Sequence, residues 1–230
     1  MPRINIIIPA YNEENSIGKV LAAIPAGIAH DVIVVDNNST DKTAQIAALA
    51  NATVLHEPSA GYGNACLKGI AHALDKPECC RPDILVFLDG DYSDYPEEMA
   101  LILAPILAGK ADMVIGSRAL GNRQPGAMLP QQLFGNWLAT RMLKWLYQAS
   151  FTDLGPFRAI TVPALLQINM QDKTYGWTVE MQAKAAKLQI RYAEVPVSYR
   201  KRIGFSKVSG TVKGTVLAGY KIIYTILKYR

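Results

Sequence analysis

The chain has 230 residues, of which 50% are hydrophobic and 19% charged, enough for one domain with a substantial core, and this composition argues against wholesale disorder. Its three cysteines form no C-x-x-C pair, so they indicate neither a disulfide framework nor a zinc site and favour a reduced, cytosolic compartment. The apolar run at the N-terminus is too short for a signal peptide, and no window of about 18 uncharged apolar residues predicts a membrane-spanning helix.

Basic residues are concentrated toward the end of the chain. Residues 184–230 contain eleven Lys or Arg and one acid, Glu194, whereas the first 183 residues carry a net charge of −5. A basic tail on an acidic body indicates an anionic partner. Nucleic acid, anionic lipid and a phosphorylated substrate all satisfy the charge alone, and a solvated basic face is the alternative.

The first half of the chain alternates short apolar runs with helical patterns. Strands are predicted at 4–8, where Pro9 ends the strand, and at 32–35, 53–55, 84–88 and 112–115. Helices are predicted at 13–24, 44–50, capped by Ser39 or Thr40, 65–74 and 96–107. Continuous apolar strands alternating with helices indicate an α/β fold with a mostly parallel sheet covered on both faces.

After residue 120 the pattern changes. Helices are predicted at 129–149, 178–188 and 211–228, a loop followed by a strand at 151–160, an extended segment at 192–197 and a polar loop at 204–210. The first and last of these helices combine apolar faces with Lys and Arg. Such helices pack on a core, form a dimer contact or lie in a membrane interface.

Polar side chains follow three of the predicted strands. Tyr11 and Glu13 come after the first strand, Asp36 after the second, and Asp89 and Asp91 after the fourth. Because ligands of open α/β sheets bind at the carboxyl edge, these side chains are expected in one cleft. Tyr11 offers a flat face for a base, and Glu13 and Asp36 can accept hydrogen bonds from a ribose or base.

The sequence Leu88-Asp89-Gly90-Asp91 is the strongest chemical signal. Two carboxylates at a strand end repel each other unless a divalent cation lies between them, and Mg²⁺ or Mn²⁺ leaves positions for phosphate oxygens. Such a cation neutralises a departing diphosphate. The motif therefore indicates metal-assisted transfer from a nucleotide-sugar.

These motifs in this order resemble the family 2 inverting glycosyltransferases of the GT-A fold, and among them the dolichyl- or polyprenyl-phosphate sugar transferases. The resemblance is carried by residues 9–13, by Val34-Val35-Asp36-Asn37-Asn38-Ser39-Thr40-Asp41-Lys42-Thr43 and by residues 89–91. It covers residues 4–160 well and is looser beyond. It implies a single GT-A domain at 1–208 and a C-terminal basic amphipathic helix at 209–230, packed on the domain or on a membrane.

The resemblance also implies roles for matching positions. Asp89 and Asp91 hold the metal. Arg118, in Gly116-Ser117-Arg118, meets phosphate, and Asp153 faces the acceptor, while Arg158 is structural or phosphate-binding. The catalytic group is then Asp91, Asp153 and Arg118. The expected contacts of the nucleotide-sugar are Pro9, Ala10, Tyr11, Glu13, Asp36, Gly63, Asp89, Gly90, Arg200 and Lys207.

Several details depart from the family or allow two interpretations. The common Asp-Asp-Gly-Ser is here Asp36-Asn37-Asn38-Ser39, which leaves the base open between UDP and GDP. A third metal ligand, often Gln, is here Ser93, Asp94 or water. The Gly61-Tyr62-Gly63-Asn64 loop either passes amides to a phosphate or is a tight turn before a helix.

The acceptor decides the mechanism. A hydroxyl needs a general base, for which Asp153 or Glu180 serves, whereas a lipid phosphate is already ionised and needs cations to position it. Loss of Asp153 should then abolish transfer to a hydroxyl but not to a phosphate. Candidate cations are Arg118, Arg200, Lys201, Arg202 and Lys207, and the loop 200–207 is interpreted as a mobile lid or as a solvated basic loop.

The sequence thus predicts a peripheral enzyme at the cytosolic membrane face that transfers a sugar from a UDP- or GDP-sugar to a polyprenyl phosphate, with Mg²⁺ or Mn²⁺. A homodimer is an option and nucleic acid is not an expected partner. The alternatives are transfer to a sugar hydroxyl in a polysaccharide or glycolipid, a sugar-nucleotide pyrophosphorylase, and a non-enzymatic binding module.

Overall fold

The computed structural model describes residues 2–204 and 212–230 of the chain. Within them lie seven strands, eight α-helices and two short 3₁₀ turns, Glu78–Cys80 and Pro96–Glu98. The strands and helices in chain order are β1 Ile4–Ala10, α1 Ile17–Ala23, β2 Asp31–Asp36, α2 Thr43–Leu49, β3 Thr53–His56, α3 Tyr62–Leu74, β4 Ile84–Phe87, α4 Met99–Leu107, β5 Met113–Ser117, α5 Pro130–Tyr147, β6 Arg158–Thr161, α6 Val162–Ile168, α7 Trp177–Lys187, β7 Tyr192–Pro196 and α8 Val212–Lys228.

The seven strands form one sheet in the order β3-β2-β1-β4-β6-β5-β7. The pairs β1–β2, β2–β3, β1–β4 and β5–β7 are parallel, and β6 runs antiparallel to both of its neighbours. Because β4 and β5 both oppose β6, the carboxyl ends of β1, β2, β4 and β5 lie at the same edge. The predicted mostly parallel α/β sheet is confirmed, with β6 as its single reversed strand.

Helices cover both faces of the sheet. The buried side chains of α1, α2 and α4 pack on one face and those of α3, α5, α6, α7 and α8 on the other. All seven residues of β1 and all four of β4 are buried, so both faces of the central strands need apolar residues. This two-sided burial explains why the sequence shows continuous apolar runs there.

Strand β1 extends past Pro9, contrary to the prediction that this proline ends it. Pro9 pairs in register with Val35, and Ala10 with Asp36. At Pro9 the backbone N position points toward β4, but the pairing of β1 with β4 ends at Ile7 and Phe87. Because no β4 residue lies opposite Pro9, its missing N–H removes no hydrogen bond of the sheet. The strand therefore carries Pro9 and Ala10 to the sheet edge.

Two helix starts also differ from prediction. Helix α2 begins at Thr43, and Ser39 accepts a hydrogen bond from the backbone N–H of Asn12 (2.9 Å) instead of capping the helix. Helix α3 begins at Tyr62, three residues early, because Gly61 supplies the turn at φ 144°. The start at Tyr62 brings that side chain to the sheet edge.

The segment after α5 was predicted least well. Strand β6 spans only Arg158–Thr161, and helix α6 was not predicted. The predicted polar loop at 204–210 lies, after Gly204, outside the described residues.

Helix α8 packs against α5 and α7. The Tyr147 hydroxyl on α5 donates to the Ile226 carbonyl at 2.6 Å, and Lys221 pairs with Asp172 at 2.9 Å. Across residues 2–204 and 212–230, no helix combines the length and the apolar character needed to cross a bilayer.

Candidate active site

A cavity of about 580 Å³ opens at the carboxyl edge of the sheet. Its walls include the ends of β1 and β4, the start of α3, the loop after β5, and one side each of α5 and α8. Ligands of open α/β sheets bind at this edge. The expected site residues that line the cavity are Pro9, Ala10, Tyr11, Glu13, Asp89, Gly90, Asp91 and Arg118.

Asp91 is buried at the base of this cavity. One carboxylate oxygen accepts from the Ser93 N–H (2.9 Å) and hydroxyl (2.5 Å), and the other contacts Arg202 Nη2 at 2.8 Å. Backbone N–H groups of Arg200 and Ile203 donate to the carbonyls of Ser93 and Asp91, so this basic segment runs beside the acidic loop. These contacts fix the orientation of Asp91, with one oxygen facing the Arg202 guanidinium.

Asp89 has a different environment from Asp91. Its Oδ1 accepts a hydrogen bond from the Tyr62 hydroxyl at 3.0 Å. Burial, followed by the charge of Asp91, raises the pKa of Asp89 to about 6, against a smaller opposite effect of Arg202 and of the Tyr62 hydrogen bond. Sequence reasoning missed Tyr62, because its proximity to Asp89 depends on how α3 packs on β1.

The acidic cluster fits a divalent cation with phosphate ligands. Among the residues described, no three His, Cys, Asp or Glu side chains converge as a metal cage. Asp94 is buried, with neither carboxylate oxygen hydrogen-bonded in the described part of the chain, and burial and then Asp89 and Asp91 raise its pKa. The mutual repulsion of Asp89 and Asp91 is what a cation relieves, and its other ligands would be phosphate oxygens and water.

We expect Asp89→Asn to stabilise the metal-free protein at pH 8 by roughly 1–3 kcal/mol. Because the folded-state pKa of about 6 lies above the ordinary 3.8, ionised Asp89 opposes folding above pH 6, and this cost disappears as the pH falls toward 4. Chemical denaturation with chelator present, from pH 4 to 8, measures the difference. Wild-type protein as stable as the variant at pH 8 would contradict the proposed environment of Asp89.

The nucleotide-side residues of β2 lie beside the cavity. Asp36 is buried, with Oδ2 3.3 Å from His56 Nδ1 and Oδ1 without a hydrogen-bond partner among the described residues. Asn37 does line the cavity, and its amide bonds the carbonyls of Glu57 and Ser59 and accepts from the Gly61 N–H. Asn37 therefore ties this edge to the turn before α3.

Gly63 makes a close backbone contact that excludes a side chain. A Cβ at Gly63 would lie 2.0 Å from the carbonyl oxygen of Asp172, and the Asn64 N–H donates to the Lys173 carbonyl at 3.0 Å. Gly63 is not among the cavity-lining residues, whereas Gly61 and Tyr62 are. The geometry favours the tight-turn interpretation of this loop.

Arg118 and Asp153 form a buried bidentate pair. Arg118 Nε donates to Asp153 Oδ2 at 2.8 Å, and Arg118 Nη2 donates to Oδ1 at 2.7 Å. The backbone N–H of Arg118 also donates to Oδ2, at 2.7 Å. Burial acts to lower the pKa of Arg118, but Asp153 outweighs it and the pKa is raised. Arg118 lines the cavity and Asp153 stands behind it, so Asp153 acts through Arg118.

The remaining basic candidates are placed in different surroundings. Arg200 stacks between Tyr92 and Tyr95, with its guanidinium carbon 3.6 and 3.8 Å from the ring centroids, and does not line the cavity. Arg158 is fully buried and donates to main-chain carbonyls, which fits the structural one of its two alternatives. Arg202 does line the cavity, and Lys207 lies outside the described residues.

The chain is similar to known proteins in sequence and in fold. The family model described as glycosyl transferase family 2 matches residues 5–168. The chain is 34% identical over 218 residues to an uncharacterized glycosyltransferase of Mycobacterium tuberculosis, with 94% of each chain covered. It is 34% identical over 236 residues to the undecaprenyl-phosphate mannosyltransferase of Micrococcus luteus, covering 92% of this chain and 90% of the relative.

A solved structure shares the fold across the whole chain. The glucosyl-3-phosphoglycerate synthase of Mycobacterium tuberculosis, in complex with Mn²⁺, UDP and glucosyl-3-phosphoglycerate, superposes with a TM-score of 0.78 at 20% identity, over 99% of this chain and 80% of that one. The sheet, its helices and this likeness confirm the predicted GT-A fold. The chain belongs to glycosyl transferase family 2.

Proposed function

We propose that the protein is an inverting glycosyltransferase that moves a sugar from a UDP- or GDP-sugar to a polyprenyl phosphate at the cytosolic face of a membrane. The observation that carries the acceptor class is the lining of the cavity. Besides Asp89, Asp91 and Arg118, both α5 and α8 contribute to it, and we call the part between these helices the channel. The channel is lined by small and apolar residues mixed with polar ones: Gly135, Ala218, Gly219, Ile222, Gln131, Gln132, Asn136 and Thr215. A charged end would take a phosphate headgroup, and the channel beside it would take the start of a hydrocarbon chain.

We assign the nucleotide-sugar donor to the end of the cavity that is lined by residues at the carboxyl ends of β1, β2 and β4. Tyr11, 44% exposed, offers its ring to the base, and Glu13 is placed to meet the ribose or base. The glucosyl-3-phosphoglycerate synthase structures contain UDP or UDP-glucose with Mn²⁺, which favours a UDP-sugar for this chain. The buried Oδ1 of Asp36, without a partner among the described residues, is a further acceptor near the base.

Asp89 and Asp91 would hold Mn²⁺ or Mg²⁺ in this arrangement. When bound, the cation supplies charge neutralisation of the diphosphate as it leaves the sugar. Burial first, and the charge of Asp91 second, raise the pKa of Asp89, and a bound cation would offset both effects. Ser93, through its N–H and hydroxyl, keeps Asp91 oriented toward the cavity.

A phosphate acceptor removes the need for a general base. Polyprenyl phosphate is ionised at neutral pH, so the chain only has to position it against the anomeric carbon. Arg118 and Arg202 are the described cations that line the cavity, and both guanidiniums are fixed by carboxylates. Asp153 has both oxygens engaged by Arg118, so it is a poor general base and serves as a positioning residue.

Two relatives act on lipid phosphates by name. Besides the Micrococcus luteus mannosyltransferase, the UDP-N-acetylglucosamine–dolichyl-phosphate N-acetylglucosaminyltransferase of Methanococcus voltae is 27% identical over 249 residues, covering 97% of this chain and 94% of the relative. The second candidate is transfer to a hydroxyl, because glucosyl-3-phosphoglycerate synthase shares the fold. The channel between α5 and α8, next to the charged end of the cavity, favours the lipid.

The proposal is tested with an acceptor panel and one channel variant. We expect sugar transfer with anomeric inversion to polyprenyl phosphate in detergent, and none to the matching polyprenol or to 3-phosphoglycerate. Gly135 lines the cavity and has open space around an added Cβ, so Gly135→Trp should fill the channel and lower kcat/KM for the lipid about tenfold.

The control for this variant is Leu217→Trp, on the exposed side of α8. Both variants should keep wild-type stabilisation by UDP or GDP with Mn²⁺, because the donor end is untouched. Turnover of a hydroxyl acceptor in preference to polyprenyl phosphate, measured by product mass and NMR, would reject the lipid acceptor.

A further inference from the structure

Among the large apolar side chains that α5 and α8 expose are five aromatic ones and Leu227. On α5 these are Phe134, Trp137 and Trp145, the last 81% exposed, and on α8 they are Tyr220, Tyr224 and Leu227. We call these six residues the aromatic face. Single exposed apolar side chains are normal, but a contiguous group of this size marks an interaction surface.

Helical spacing explains why the six side chains point away from the core. Residues 134, 137, 141 and 145 follow one another at three or four positions on α5, while Ala139 and Leu143 of the same helix are buried. On α8, Thr225 and Ile226 are buried, and Tyr220 and Tyr224 stack with centroids 6.1 Å apart. Helices α5 and α8 contact each other and bury residues in the same core, so their exposed residues lie on neighbouring elements.

The charged residues of the two helices that carry the aromatic face are all basic. Neither helix contains an Asp or Glu, and Arg141, Lys144 and Lys228 are exposed on them. Arg141 lies 6.0 Å from the centroid of the Trp137 ring. Trp and Tyr together with Lys and Arg are the side chains that settle at the boundary between headgroups and acyl chains. A protein partner of the same chain would instead bring like charges together.

The position of the cavity agrees with a lipid partner. Its wall passes between the same two helices, with Gly135 on α5 and Ala218 and Gly219 on α8 among the lining residues. A bilayer against the aromatic face therefore lies next to the channel. A second copy of the chain on this face would cover the channel instead.

From the exposed aromatic side chains, the exclusively basic charges of both helices and the adjacent channel, we infer that α5 and α8 together form the membrane-docking surface of this protein and rest in the interface of an anionic bilayer. The inference rests on the proposed function, since it names the membrane from which the lipid acceptor enters. Apolar insertion and attraction to anionic headgroups both contribute to such binding.

Vesicle co-sedimentation tests the surface directly. We expect wild-type protein to bind vesicles of phosphatidylcholine with phosphatidylglycerol, and Phe134→Glu/Trp137→Glu to bind them at least about tenfold more weakly. The matched control is Leu49→Glu/Leu166→Glu. It adds the same two negative charges at exposed apolar positions on α2 and α6. Binding by the control should equal wild type.

Tryptophan fluorescence adds a readout that folding alone does not give. Two of the three tryptophans, Trp137 and Trp145, lie on the aromatic face, and the third, Trp177, is buried. Brominated lipids should therefore quench the emission of the wild type on vesicle binding. We call Phe134→Glu/Trp137→Glu the face variant. If it binds vesicles as strongly as the wild type, the inference is overturned. The inference is also overturned if the wild type does not bind vesicles but forms a dimer that Phe134→Glu/Trp137→Glu converts to a monomer.

A soluble acceptor separates the two proposals. With a short-chain polyprenyl phosphate and no vesicles, the face variant should turn over like the wild type, because the cavity end with Asp91 and Arg118 is unchanged. Vesicle binding without any transfer to this acceptor would reject the proposed function and leave the docking surface standing. Sugar transfer to this acceptor by a wild-type protein that does not bind vesicles would reject the docking surface and support the proposed function.

Discussion

Replacing Asp91 with asparagine is expected to lower kcat/KM by roughly 1000-fold, since loss of the metal-held diphosphate removes several kcal/mol of transition-state stabilisation. Asp91 lines the cavity with one oxygen fixed by Ser93 and the other against Arg202. An asparagine keeps the shape and the Ser93 contacts but removes the charge. Burial would still raise the pKa of the neighbouring Asp89, but the smaller contribution from the charge of Asp91 would be lost, so this change should not weaken the fold.

Donor binding gives the second measurement for Asp91→Asn. Wild-type protein should be stabilised by UDP or GDP together with Mn²⁺, and this ligand-linked shift in Tm should be lost in the variant. Asp75→Asn, at an exposed position after α3, serves as the control and should retain both turnover and the shift. Full metal-dependent stabilisation and turnover in Asp91→Asn would end the assignment of this cavity as a metal-dependent transferase site.

Replacing Asp153 with asparagine should cost about 3–5 kcal/mol of stability, because it leaves the Arg118 guanidinium buried without its counter-charge. The Asp153 side chain is 1% exposed and the Arg118 side chain 11%. Arg118 should also lose its orientation toward the cavity, lowering kcat/KM by roughly 100-fold for a phosphate acceptor. Denaturant unfolding and steady-state assays at a temperature where the variant stays folded measure the two effects.

The chain contains a matched control for this substitution. Arg191 and Asp112 form a second bidentate pair at 2.8 Å, but the arginine side chain is 60% exposed. Asp112→Asn should cost less than about 1 kcal/mol, as exposed ion pairs usually do, and leave turnover unchanged. Similar stability losses for the two variants would contradict the importance of burial at Arg118–Asp153.

The geometry of this pair also changes one expectation from sequence. Asp153 was expected to matter for a hydroxyl acceptor and not for a phosphate, as a general base would. Because both of its oxygens accept from Arg118, its removal acts through Arg118 and should affect either acceptor. The acceptor is therefore distinguished by the channel variant Gly135→Trp and not by Asp153.

Local patterns in the sequence were sufficient for the strands and for the residues at their ends. Apolar runs such as 33–35 and 84–87 are buried on both faces, and a chain that alternates them with helices has few topologies available. The carboxyl edge then collects Tyr11, Glu13, Asp89 and Asp91 without further information. The strand at the end of 151–160 was predicted, but its reversed direction and helix α6 were not, because short apolar segments do not reveal strand direction or distinguish helix from strand.

The sequence by itself determined the α/β sheet, the acidic pair at its edge and the excess of positive charge after residue 184, because periodicity, motif spacing and charge are properties of neighbouring residues. Only the tertiary structure decided which groups meet across long sequence separations. Tyr62 reaches Asp89, Asp153 engages Arg118, and Arg202 contacts Asp91. These contacts depend on how helices and loops pack over the sheet, and no local pattern encodes that packing.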